Sequence, residues 1–273
     1  MALADLRRRA TRAWRRMSNP IGPAALRAAL DRAIGAAPGT LLVHASFSAC
    51  GRFTGGSDDV LAALGERCST LAFPTHTYSY PENGAPAPLF DPRATPSRTG
   101  LLTEIFRISP GVTRSIQSTH SIAARGAEAA ALCAGHYLND TPCGRGTPYE
   151  RMVRSQAAVL LFGATFHSYT LYHTAEDASG SQFAYEPATV DLLEVIDESG
   201  NRRHCRSRRQ SRAPRRFREA GGLLESAGIA RRVPLGAGIL LYVPDCARAH
   251  DFLVERLRRV PDFLYATCTE PLR

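Results

Sequence analysis

No CxxC pair occurs in the 273 residues, and the seven cysteines (50, 68, 133, 143, 205, 246 and 268) are odd in number and scattered. A secreted disulfide framework is therefore not expected, and a reducing cytoplasm fits. Cys133 and His136 are the nearest thing to a metal pair, but no second pair follows at zinc-like spacing, so no metal is expected. No apolar run approaches the roughly 18 residues that a membrane span needs. The opening stretch, MALADLRRRATRAWRRM, is basic but lacks the roughly 7–15-residue apolar core of a signal peptide. It reads as an amphipathic helix with Leu3, Leu6, Ala10 and Trp14 in line. Several nucleophile and phosphate motifs are missing too. Without GxSxG, a serine hydrolase of the α/β type has no support. The glycines of ACGRFTGGS match neither the P-loop nor GxGxxG.

The chain is long enough for one large α/β domain with a substantial core, and 44% apolar with 22% charged residues excludes wholesale disorder. Its net charge of +9 is local. Residues 201–218, NRRHCRSRRQSRAPRRFR, hold nine arginines and no acid, and the rest of the chain is near neutral. Such a run suits a solvated strand or loop, or a site for an anionic small molecule. A nucleic-acid footprint would need aromatic interleaving or a binding motif, and neither accompanies it.

TLLVHASF (40–47), STLAFP (69–74) and AAVLLFGA (157–164) are compact apolar runs, as buried strands should be. Ser57 stands as an N-cap before DDVLAALGER, whose two acids fall in the first turn. Strand, Gly-rich loop, helix and strand in that order predict a parallel α/β unit. Residues 76–98 form a long loop rich in Pro, Tyr, Ser and Asn, of a length that is commonly functional. Helices are predicted at 100–109, 126–136 and 247–259 and along FREAGGLLESAG, with strands at 189–197 and 238–243. One mixed α/β unit is expected over 1–273, with room for a smaller lobe after about 180.

TLYHTAED (170–177) directly follows the best strand, where open α/β sheets place ligands. Read as a helix, it gives His173 a threonine at i−3, Glu176 at i+3 and Asp177 at i+4 on one face. A histidine beside a carboxylate has its tautomer fixed and its cation stabilised, which makes a competent general base. A structural or surface histidine is the plainer reading of the same spacing.

Four blocks resemble the aminoglycoside 3-N-acetyltransferase (antibiotic N-acetyltransferase) family, acetyl-CoA-dependent enzymes without the GNAT fold. They are VHASFSACGRFTGGSDDVLAAL (43–64), FDPRATPSRTGLLTEIFR (90–107), PGVTRSIQSTHSIAARG (110–126) and GTPYERMVRSQAAVLLFGATFHSYTLYHTAE (146–176). The resemblance implies a mixed sheet with flanking helices and transfer of an acyl group from a CoA thioester to an amine, without a metal. It makes His173 the general base, Glu176 its orienting carboxylate and Thr170 a donor to the oxyanion. It places the coenzyme on Ser46, Phe47, Ser48, Gly51, Gly55, Gly56, Arg114 and Ser115, and the acceptor at Gln117, His120 and Tyr78. The 76–98 loop would be a lid over that acceptor.

Two departures bear on the acceptor. Gln117-Ser118 stands where the family commonly has His-Pro, and Thr119 where enzymes acting on aminoglycosides can have Asp. Nine arginines replace an expected acidic stretch, and a polycationic acceptor facing them would meet like charge. The resemblance therefore leaves open a resistance enzyme for aminoglycosides and a biosynthetic enzyme on another, or an anionic, amine. An acyl donor on an acidic carrier protein and a non-catalytic CoA-binding relative are further alternatives.

Overall fold

The computed structural model describes residues 20–82 and 84–269, so the amphipathic segment expected at the N-terminus lies outside the described residues. Seven strands form one mixed sheet in the order β3-β4-β2-β1-β5-β9-β8. The strands are β1 (Thr40–Ala45), β2 (Thr70–Pro74), β3 (Thr113–Arg114), β4 (Ile122–Gly126), β5 (Ala158–Phe162), β8 (Arg231–Leu235) and β9 (Gly238–Val243). β1 runs parallel to β2 on one side and to β5 on the other, and the remaining pairings are antiparallel. The three central strands are almost entirely apolar because both their faces are covered, which is the pattern of buried parallel strands.

Side chains alternate between two cores. Leu41 and Val43 of β1, with Leu160 and Phe162 of β5, pack against helices α1 (Pro23–Ile34), α2 (Gly56–Gly65) and α3 (Leu101–Ile108). Leu42, Val159 and Leu161 face α4 (Ala129–Cys133), α5 (Pro148–Arg154), α6 (Leu171–Ser179), α7 (Phe217–Ser226) and α8 (Cys246–Arg259). The helix over 126–136 is shorter than its alanines suggest, because Gly135 takes a left-handed conformation beyond Ala134. The residue that precedes α2 is Gly55, not Ser57, and it offers no side-chain cap; Asp58 and Asp59 do fall in the first turn.

The arginine run is a strand. β7 (Arg202–Gln210) pairs antiparallel with β6 (Tyr185–Ile196) as a separate two-stranded sheet. Leu193, Val195 and Cys205 turn inward onto Phe90 of the 76–98 loop and Ile116. Its positive charge is less free than the sequence implies, because the acids stand on the partner strand and on neighbouring elements. Arg203 meets Asp197 at 2.8 Å, Arg209 grips Asp191 at 2.6 and 2.9 Å, and Arg212 reaches Glu82 at 3.1 Å. Among the described residues no helix is long and apolar enough to cross a membrane.

Candidate active site

The parallel strands β1, β2 and β5 end on the same edge of the sheet, and a cleft of about 450 Å³ opens there. Their carboxyl ends contribute His44, Ser46, Pro74 and Gly163 to its wall, as expected for an open α/β sheet. Thr165, Ser168, Thr170 and Arg218 continue that wall, and His76 and Tyr78 come from the start of the long loop. Gly163 has φ +66°, and a Cβ there would sit 2.7 Å from the Ser46 carbonyl oxygen and 2.9 Å from Cys50 Sγ. Only glycine lets these two strand ends approach so closely.

α6 is a helix as its spacing predicts, with Thr170 at its start and Gly180 ending it in a left-handed conformation. His173 Nδ1 lies 2.7 Å from Glu176 Oε2. Glu176 is fully buried, and its other oxygen accepts from Tyr265 OH at 2.6 Å and Arg215 Nε at 3.1 Å. Burial alone would raise this carboxyl, but His173, Arg215 and Tyr265 outweigh it and hold it below the usual range. An ionised Glu176 fixes the proton of a neutral His173 on Nδ1 and leaves the Nε2 lone pair for another proton.

Beside His173 lies a group of buried imidazoles. The His120 ring is 6.1 Å from His173 and 4.6 Å from His76. Tyr149 donates its hydroxyl proton to the His120 carbonyl, so His76 Nε2–H donates to Tyr149 at 2.7 Å and His76 Nδ1 accepts from Tyr78 at 3.1 Å. The Thr119 hydroxyl donates to Gln117 Oε1 and accepts from His120 Nδ1–H at 2.8 Å. His136 donates from Nε2 to the Pro142 carbonyl at 2.8 Å and accepts from Ser115 at 2.9 Å. Burial drives all of them toward the neutral form: His44 and His136 fall to about 3, and His76 and His120 well below the ordinary histidine value.

The predicted site residues divide. Thr170, Ser46 and Tyr78 line the cleft, and His173 lies one turn along α6 from Thr170 with its ring 5.5 Å from Phe217. Phe47 stacks on Phe53 at 5.1 Å, Ser48 is exposed, and Gly51, Gly55 and Gly56 shape the turn into α2 away from the cleft wall. Arg114 is buried, with Nε bound to the Thr75 and Ser121 hydroxyls at 3.1 Å and another nitrogen to the Thr75 carbonyl at 2.8 Å. Burial lowers it to about 9. Ser115 is spent on His136 and the Ile122 amide. Neither reaches the cleft wall. Gln117 Oε1 accepts from the amides of Thr119 and His120 at 2.7 and 2.6 Å, which pins the turn that carries His120.

Sequence reasoning missed His76, Gly163, Arg215, Arg218 and Tyr265. His76 could have been flagged because it closely follows a predicted strand, and Gly163 because it is the glycine near the end of another. Arg215 and Tyr265 carry no local signal. Among the described residues no cluster of three metal-ligating side chains occurs.

Comparison with known proteins agrees with this architecture. The family described as aminoglycoside 3-N-acetyltransferase matches residues 42–258. Aminoglycoside N(3)-acetyltransferase VII of Streptomyces paromomycinus is 33% identical over 228 residues, which is 72% of this chain and 78% of that protein. Other curated N(3)-acetyltransferases match over 53–60% of their own length. The crystal structure of aminoglycoside acetyltransferase AAC(3)-Xa superposes with a TM-score of 0.76 at 28% identity, covering 90% of this chain and 95% of that one. A binary complex of AAC-IIIb with CoASH shares the fold, with a TM-score of 0.77 at 23% identity over 92% of this chain and 100% of that one. The chain belongs to the aminoglycoside 3-N-acetyltransferase family of acyltransferases.

Proposed function

We propose that this protein transfers an acetyl group from a CoA thioester to an amine of an aminoglycoside or related amino sugar, with His173 as general base. The observation that carries the reading is the His173 Nδ1–Glu176 contact of 2.7 Å, made by a carboxylate that is itself held from two other sides. The cleft suits a CoA thioester: Arg218 stands in its wall with the hydroxyls of Ser46, Thr165 and Ser168, and no Asp or Glu lines it to repel the phosphates.

His173 Nε2 takes a proton from the acceptor as the amine nitrogen bonds to the thioester carbonyl carbon. Glu176 stabilises the imidazolium so formed. Thr170 is a donor toward the oxyanion of the tetrahedral carbon, in the kind of position where one hydrogen bond counts for much. Collapse breaks the C–S bond, and the imidazolium returns its proton to the departing thiolate. The products are the amide and free CoA, and His173 is neutral again. Removing a well-placed general base costs roughly 10²–10⁴-fold in rate.

A second reading, an acceptor of low positive charge, is favoured by the pairing of carboxylates with the arginine-rich run. Glu176, Asp191, Asp197 and Glu82 are each paired with an arginine of the 201–218 run, and Asp177 takes the Tyr185 hydroxyl at 2.7 Å. A polycation would compete with those partners for every carboxylate it used.

A thiol-release assay with acetyl-CoA tests both. The panel comprises kanamycin-type aminoglycosides, simple amino sugars and anionic amines, run beside H173A. Turnover of aminoglycosides, lost in the variant, is the expected result and places the protein among antibiotic-resistance enzymes. Turnover confined to the other amines selects the second reading and a role in natural-product biosynthesis. Silence across the panel, or full activity of H173A, overturns the acetyl-CoA and general-base reading.

A further inference from the structure

Arg215 lies in the basic run, yet its side chain is only 8% exposed and ends on Glu176. We propose that Arg215 and Tyr265 are positioning residues for the base: they fix which Glu176 oxygen faces His173 and balance the charge of that carboxylate. The proposal rests on His173 acting as the base.

The geometry divides the work between the carboxylate oxygens. Oε2 takes the imidazole, at 2.7 Å, while Oε1 takes the Arg215 N–H and the Tyr265 hydroxyl, whose one proton the Phe183 carbonyl also approaches at 2.6 Å. Two donors on one oxygen stop the carboxylate from rotating, and a fixed carboxylate fixes the plane of the ring it holds. The donors are anchored in turn. A second Arg215 nitrogen donates to the carbonyls of Ser211 and Ala213 at 2.7 and 3.0 Å. The guanidinium lies over the Tyr265 ring at 4.7 Å. Residues 214–216 run antiparallel to 264–266, with Arg216 N donating to the Leu264 carbonyl at 2.8 Å and Ala266 N to the Pro214 carbonyl at 2.9 Å. The two side chains thus reach Glu176 from segments already joined through their backbones.

The charge argument is equally local. The titratable neighbours of His173 and Glu176 are His76 and His120, then Cys143, Asp177, Tyr265 and Arg215. Burial keeps those two histidines, and His136 beside His120, neutral near pH 7 and raises the Cys143 thiol and the Tyr265 phenol. The ionic partners left beside Glu176 are Asp177, capped by Tyr185, and Arg215. Without the Arg215 cation, the whole negative charge of Glu176 would favour the imidazolium, and the free base would appear only at higher pH.

The test compares wild type, R215Q, R215K and Y265F, with H173A as control, using acetyl-CoA and the amine turned over fastest in the panel above. R215Q should lose roughly 10- to 100-fold in kcat, with KM for acetyl-CoA unchanged and the acid limb of kcat/KM moved to higher pH. R215K should return that limb toward its wild-type position without restoring kcat fully, and Y265F should lose several-fold in kcat. Wild-type kcat and an unmoved limb in R215Q overturn the proposal. So does a loss that matches the unfolded fraction seen by circular dichroism. If R215Q does not fold, R215K and Y265F decide: reduced kcat in folded protein supports the proposal, and wild-type kcat in both overturns it. A dead H173A beside fully active Arg215 and Tyr265 variants overturns this proposal alone. A fully active H173A, or a panel without turnover, overturns the general-base reading and this one with it.

Discussion

Four imidazoles buried without a carboxylate beside them should make this protein unusually sensitive to mild acid. His44, His76, His120 and His136 are each 4% exposed or less, and burial holds all four neutral in the folded state. In the unfolded chain each returns to an ordinary value near 6.5. The folded pKa is therefore the lower one. Stability is complete above the unfolded value and is lost as pH falls below it, because only the unfolded state then gains protons. His44 and His136, at about 3, remain neutral in the folded protein at pH 5. At that pH each of these two costs about 2 kcal/mol, since one pKa unit is about 1.4 kcal/mol, and together they cost about 4 kcal/mol; burial of His76 and His120 acts in the same direction. A domain is typically stable by about 5–15 kcal/mol, so the loss consumes a large part of the margin. Urea unfolding followed by circular dichroism at pH 7.5, 6.5, 5.5 and 5.0 should show the midpoint falling steeply below pH 6.5 at constant slope. His44→Gln should reduce that pH dependence by about 2 kcal/mol between pH 7.5 and 5.0, and His44 Nε2 has no partner to lose. Equal midpoints at pH 7.5 and 5.0 would refute the reasoning, because they would require these imidazoles to be protonated, or wet, inside the fold.

Two further outcomes test the cleft and the core. Gly163→Ala brings a methyl against a backbone oxygen at 2.7 Å with φ at +66°; it should cost about 1–3 kcal/mol. Thermal denaturation should then show a drop of roughly 2–5 °C, with a raised KM for acetyl-CoA because Ser46 must move, and an unchanged Tm would mean the strand ends are not in contact. Cys143 is fully buried, and burial pushes its thiol well above the ordinary value; it should resist iodoacetamide in the native protein and react once urea unfolds it. Rapid native labelling at Cys143, read by mass spectrometry, would contradict its placement behind Glu176.

What the sequence made legible is what a short window can carry. The strands at 40–45, 70–74 and 158–162 announce themselves because both their faces are buried, so nearly every position is apolar, with Thr40, His44 and Thr70 the exceptions. The His173–Glu176 contact follows from helical spacing alone, three residues apart on one face. β4 was not legible as a strand: its five residues, IAARG, end in arginine and glycine, and it is a strand because Thr70–Pro74 lies beside it. Ser57 misled because a serine before two acids has the grammar of a cap, while the chain had already turned at Gly55.

The arginine run is the instructive failure. Read along the chain it is nine cations without an acid. In space its acids are across a hairpin at Asp191 and Asp197, on the long loop at Glu82 and beside His173 at Glu176. Arg215 lies 39 residues from Glu176 and Tyr265 lies 89. No periodicity spans such separations, because they are set by how the sheets and helices close on one another. A net charge counted in sequence is therefore an upper bound on the field a ligand meets. Here the bound is loose: the run supplies the cation that steadies the catalytic carboxylate in our reading, and Arg218 alone of its members stands in the cleft wall. An acceptor approaching His173 through the cleft would consequently meet hydroxyls, neutral imidazoles and the single Arg218 cation. That environment selects by hydrogen-bond geometry more than by net charge.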